Sequence, residues 1–237
     1  MRYTPVVMLL VGWLAGLVVM GCSDDLVLPE PNFVLESGLA NPTLVQTKKP
    51  SDRIEKGETV VSLSVRRIRV LVSRIMLHSD RDTMSGGDKT VKAGPFIYEA
   101  DSLGTRVISS VNLPTGTYNR LKFEVHRFSS SETSVYTDDP VYRDFVTGDR
   151  YSVIIEGYVV RKNGTSSSFS YKSDVTSNLE LDYQPAIVVA EGSVTTSTIM
   201  FDAAAVFKDG TVILDPADAE NESSIDNGIK RAFRTNR

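Results

Sequence analysis

The chain carries one cysteine, Cys22, and two histidines, His78 and His126, in 237 residues. A single cysteine excludes an intramolecular disulfide and a thiolate metal cluster, so stability must come from an ordinary core. Neither histidine has a companion His or Cys at ligand spacing, so both read as polar strand positions rather than metal ligands. Trp13 is the only tryptophan. No Gly-x-Ser-x-Gly occurs and no lysine has a serine three residues before it, which removes two common nucleophile signatures. Ser85-Gly86-Gly87-Asp88-Lys89-Thr90 lacks the full spacing of a phosphate loop and reads as a connection between strands. A basic surplus is also missing: 26 Lys and Arg face 30 Asp and Glu, a net charge of −4. Nucleic acid or an anionic membrane face would demand clustered cations, so neither is expected as the main partner. The one basic cluster is Arg66, Arg67 and Arg69, interleaved with Val65, Ile68 and Val70 as on one face of a strand.

What is present begins at the N-terminus. Arg2 is followed by the uncharged, mostly apolar Val6–Met20, and Gly21 then stands directly before Cys22. A positive start, a short apolar stretch and a small-residue cleavage position describe a secretory signal; a spanning helix needs about 20 apolar residues. Val19-Met20-Gly21-Cys22 resembles the lipobox of bacterial lipoproteins, which implies removal of residues 1–21 and lipidation of Cys22. Trp13 leaves with the signal. Ser23-Asp24-Asp25 resembles the serine-plus-acid signal that sends some lipoproteins to the outer leaflet. The expected location is the bacterial outer membrane, with Cys22 as the membrane contact.

Residues 22–57 read as a lipidated tether. Pro29, Pro31, Pro42 and Pro50 interrupt any periodicity, and each fixes φ and lacks a donor. Leu26–Leu28 and Phe33–Leu35 are apolar enough to add to a domain edge. Residues 58–237 then form the body, where the dominant period is two. Val61, Leu63 and Val65 alternate with polar neighbours, as do Leu121, Phe123 and Val125, and Val153, Ile155 and Val159. Period two with one polar face marks half-buried antiparallel strands. Further strands are expected at Ile68–Leu77, Phe96–Glu99, Arg106–Val111, Ser168–Ser173, Asn178–Asp182, Ala186–Val189, Thr195–Asp202 and Thr211–Leu214. Asn163-Gly164 lies between two such runs and predicts a hairpin. The fold class is all-β, an immunoglobulin-like or transthyretin-like antiparallel sandwich in the broad sense. Helix is expected only late: one turn within Asp202–Lys208, and a C-terminal helix capped by Ser223 or Ser224. That helix would carry Ile225, Ile229 and Phe233 on one face, with Gly228 weakening it by about 1 kcal/mol.

Val111-Asn112-Leu113-Pro114-Thr115-Gly116-Thr117-Tyr118 and the alternating run after it resemble the turn-and-strand of bacterial β-sandwich lipoprotein domains. Val70–Ser79, Arg150–Gly157 and the ending from Leu214-Asp215-Pro216 to Phe233 resemble uncharacterised envelope lipoproteins of the Bacteroidetes/Chlorobi kind. This resemblance implies a β-sandwich domain of unknown function and an envelope location; it brings no catalytic residues.

Three candidate chemistries remain. Val135–Tyr151 sets Tyr136 and Tyr142 beside Asp138, Asp139, Arg143 and Asp144, the mixture that loops use to hold a glycan or peptide. Inward packing of the aromatics is the competing account. Asp215, Asp218 and Glu220 crowd the turn before the last helix and are weak calcium candidates, since they miss the Asp-x-Asp-x-Asp-Gly pattern. Paired carboxylates in a cleft would instead support hydrolysis. The leading expectation is a non-enzymatic, lipid-anchored β-sandwich for adhesion, scaffolding or assembly, without a cofactor and with a protein or glycan partner. A glycan- or calcium-binding module is the alternative.

Overall fold

The computed structural model describes residues 30–46, 59–79 and 87–236. Residues 1–21, expected as a signal, Cys22, Ser23-Asp24-Asp25, Leu26–Leu28 and Ser85-Gly86 lie outside them. The strands are β1 (Phe33–Ala40), β2 (Thr43–Val45), β3 (Val60–Ser79), β4 (Gly87–Asp101), β5 (Arg106–Val111) and β6 (Gly116–Val125). Two short helices, α1 (Ser130–Tyr136) and α2 (Arg143–Val146), precede β7 (Val153–Arg161), β8 (Ser166–Ser173), β9 (Ser177–Val189) and β10 (Thr195–Asp202). The chain continues through α3 (Ala203–Phe207), β11 (Lys208–Asp209), β12 (Val212–Ile213), α4 (Glu222–Ile229) and β13 (Phe233–Asn236).

The protein is mostly β, with several antiparallel pairings and a short C-terminal helix. A four-stranded sheet runs β13-β10-β1-β5; a seven-stranded sheet runs β8-β7-β3-β6-β9, with β2 and β4 also on β3. Phe33, Leu35, Ile199 and Phe201 from the smaller sheet share one buried cluster with Leu63, Ile68, Leu121 and Phe123 from the larger. Leu113 and Tyr118 flank the crossing from β5 to β6, and the Tyr118 hydroxyl donates to the Pro114 carbonyl at 2.8 Å. That bond closes the reversal that carries the chain from one sheet to the other.

Strand β3 organises the larger sheet. Along one edge it pairs with β7 over Val60–Val70 and then with β6 over Val72–His78; along the other it meets β2 and β4. Its bulges let one strand serve two sets of partners. Where β6 and β7 part, the connection between them covers the gap with a second, smaller core of Leu71, Phe128, Phe145, Val146 and Ile154.

Four expectations need correction. Phe33–Ala40 is no tether: β1 lies between β10 and β5, with Phe33 and Leu35 fully buried, and Thr43–Val45 joins β3. The pattern is not wholly antiparallel, because β1 and β10 run parallel in register from Phe33↔Thr195 to Ala40↔Asp202. Helix is not confined to the end: Ser129 and Glu132 form a reciprocal capping box that starts α1. The C-terminal helix stops at Ile229, and Ser223 and Ser224 lie inside it rather than capping it. Ile225 and Ile229 are buried as expected, but Phe233 reaches the core from β13. Gly228 has a packing role: a Cβ there would stand 2.7 Å from the Val206 Cα and 2.8 Å from the Ala205 carbonyl oxygen. Its cost in helix propensity permits α4 to press against α3.

Among the described residues, no helix is long and apolar enough to cross a membrane.

Candidate functional site

The structure brings the Val135–Tyr151 residues together, but around an inward-facing aromatic cluster. The Tyr136 ring stacks on Phe128 at 4.6 Å, and Tyr142 meets both rings edge-on at 5.6 and 4.9 Å. The Tyr142 hydroxyl donates to the Pro95 carbonyl at 2.7 Å, and burial raises its pKa. The Asp139 side chain accepts from the Val141 amide at 2.9 Å, shaping the turn between α1 and α2. Asp144 accepts from Arg69 at 2.6 Å, and that bond holds its pKa below the usual carboxylate value. Only Asp138 and Arg143 of the six are exposed without a described side-chain partner of this kind. These residues pin the connection onto the sheet.

The acidic turn is committed in the same way. Asp215 pairs with Arg161 at 2.8 Å, both largely buried, and its other oxygen accepts from the Ala217 amide at 2.9 Å. Asp218 accepts from the Glu220 amide at 3.0 Å and begins a short 3-10 turn, while Glu220 is exposed. Among the described residues, no three His, Cys, Asp or Glu side chains gather as a metal site would require. His78 pairs with Asp88 at 2.7 Å near one end of β3; His126 lies beyond the opposite end of β6 against the Arg127 carbonyl.

A different place has the form of a site. A trough of about 660 Å³ crosses the outward face of β3, β7 and β8 and is walled by β4 and the turn after it. It originates in the register. Val65 pairs with Gly157 and Arg67 with Glu156, which leaves Arg66 as the extra residue of a bulge. Val65 and Ile68 are both fully buried although three positions apart, so the bulge presents Arg66 and Arg67 consecutively away from the core. A regular strand would have sent one of them inward.

The two arginines differ in their partners. Arg67 makes a two-point pair with Glu99, both bonds at 3.0 Å. Arg106 bonds Asp101 and lies 3.5 Å from Glu99. The Leu103 amide and then Arg106 hold Asp101 below the usual carboxylate pKa, so it is an acceptor and not a proton donor near neutrality. Glu156 lies 3.7 Å from Arg69. Arg66 has no carboxylate partner among the described residues. Its guanidinium donates to the Tyr158 hydroxyl at 3.2 Å and sits 5.6 Å from the centre of that ring. Tyr158 is 42% exposed, and β8 places Ser168 opposite it and Ser170 opposite Glu156. Two small side chains beside a tyrosine give the trough its depth.

Of these residues, only Arg66 and Arg67 stand out in the sequence, as part of the basic strand face that includes Arg69. The doublet between two apolar positions is the visible sign of the bulge. Arg106, Tyr158 and Ser168 arrive from three other strands, and no local pattern announces their meeting. Comparison with family models, with curated proteins and with solved structures finds no match.

Proposed function

We propose that this chain is a lipid-anchored protein of the bacterial outer membrane whose β domain is a non-catalytic binding module, with the trough as its contact surface in adhesion or assembly. The observation that carries the reading is Arg66, an exposed cation with no carboxylate partner among the described residues, held by a bulge over a half-exposed tyrosine. Tyrosine and arginine together are the residue types that dominate contact energies at recognition surfaces. Glu99 and Asp101 are hydrogen-bonded to arginines and Glu156 lies 3.7 Å from Arg69, which favours binding over acid–base chemistry. The anchor rests on the lipobox-like Val19–Cys22. Because the domain starts at Phe33, the segment after Cys22 spans at most about 35 Å even when fully extended, which keeps the module near the bilayer. The two-sheet arrangement and the Leu113–Tyr118 crossing support an immunoglobulin-like or transthyretin-like sandwich, modified by the parallel β1–β10 pair.

Immobilised full-length protein is expected to retain material from a detergent extract of the bacterial envelope. The double variant Arg66→Ala/Tyr158→Ala should retain about tenfold less. Arg127→Ala, which breaks an exposed pair with Asp174 outside the trough, should retain as much as the parent. Equal retention by the double variant and the parent would remove the trough from the function.

A further inference from the structure

We infer that the trough is a site for an acidic saccharide, a ring sugar bearing a carboxylate of the hexuronate type; this rests on the binding role proposed above for the trough. The argument starts from what the protein backbone can offer. Beneath the trough, the main-chain groups of β3, β7 and β8 pair with one another on both sides of the bulge at Arg66. A ligand lying across this face meets side chains, the open strand edge being the outer rim of β8, so recognition on the face depends on the ligand's own substituents. An extended peptide would forgo the main-chain pairing that usually holds it to a sheet. A sugar needs no such pairing.

The side chains then define the substituents. Arg66 is a planar donor fork with no carboxylate bound to it among the described residues, suited to one anionic group with two oxygens. Tyr158 lies beneath that fork, which reaches its hydroxyl end, and the part of the ring left exposed is a flat surface against which a sugar ring can pack. Ser168 and Ser170 are exposed on the adjacent strand, where each hydroxyl can both donate and accept. Glu99 and Asp101 would repel an anion if they were bare. Arg67 and Arg106 neutralise them, Arg69 stands 3.7 Å from the third lining carboxylate, Glu156, and with Arg66 the lining's three arginines match its three carboxylates. One anionic group, one ring face and several hydroxyls are what these four side chains can satisfy at once.

The test is calorimetric titration of the full-length protein in detergent with trigalacturonate and triglucuronate, with galactotriose as the neutral probe and a glutamate-rich peptide as the acidic non-sugar probe. At least one uronate trisaccharide is expected to bind, at least about tenfold more tightly than galactotriose. Its affinity should fall about tenfold in Arg66→Gln and again in Tyr158→Ala, and should weaken with added salt. Equal binding of galactotriose, lost in Tyr158→Ala but unchanged in Arg66→Gln, would overturn the acidic ligand and keep the trough as a site. Preferential binding of the peptide would overturn the saccharide. If no probe binds, or binding ignores both substitutions, the saccharide inference fails. The envelope-extract capture then decides separately whether the trough binds something else.

Discussion

Replacing Phe233 with alanine is expected to lower the unfolding free energy by about 3–5 kcal/mol, in the range for a large aromatic removed from a close-packed core. The Phe233 ring stands edge-on to Phe123 and Phe201, at 5.0 Å each, and to Tyr98 at 5.7 Å. Those partners come from β6, β10 and β4, so one side chain near the C-terminus ties the two sheets together. The flanking backbone pairs only with β10, through Phe201↔Phe233 to Thr198↔Asn236. Without the ring, the last strand has little to hold it. Arg234→Ala is the control. Its pair with Asp202 spans 3.2 Å but is exposed on the arginine side, so the loss should stay below about 1 kcal/mol. Urea melts of a chain beginning at Glu30 would measure both. Equal, small effects would mean that β13 does not contribute to the core.

A comparable loss is expected from adding a single methyl group. At Gly157 a Cβ would lie 2.1 Å from the Ser64 carbonyl oxygen and 2.8 Å from the Phe169 ring. The ring could turn aside, but the carbonyl belongs to β3 in the stretch paired with β7. Relief therefore requires the two strands to separate beside the bulge, and Gly157→Ala should cost about 3 kcal/mol, the upper end of ordinary overpacking. The same melts would show it. A shift no larger than that of a surface substitution would mean that β3 and β7 do not approach so closely, and the arginine-presenting bulge would lose its support.

Elements marked by a local signal are legible in the sequence. Period two is a local signal, and Arg106–Val111 and Thr195–Asp202 match β5 and β10 end to end. Asn163-Gly164 lies at the β7–β8 hairpin, with Gly164 at φ +85°. By contrast, β1 has a parallel partner far along the chain, and the prolines on either side conceal it. No neighbouring residue records that pairing. Helix α1 did leave a mark, the Ser129–Glu132 capping box, but it lacks an apolar stripe and so the aromatics beside it looked like a loop. Phe233 continued the helical spacing of Ile225 and Ile229, yet tertiary packing placed it on a strand. The trough needed both kinds of information. Its Arg66-Arg67 doublet is legible, whereas the carboxylates that occupy Arg67 and the tyrosine beneath Arg66 are set by strand register.

The proposed lipid anchor at Cys22 would join this surface to a location, and the mass of the mature N-terminus tests it most directly. Protein recovered from the membrane fraction should begin at Cys22 and carry the added mass of acyl chains on that residue. Cys22→Ala should keep residues 1–21 and carry no acyl mass. An N-terminus upstream of Cys22 in the parent, or an unmodified Cys22 with unchanged membrane partition in Cys22→Ala, would contradict the lipid-anchored module.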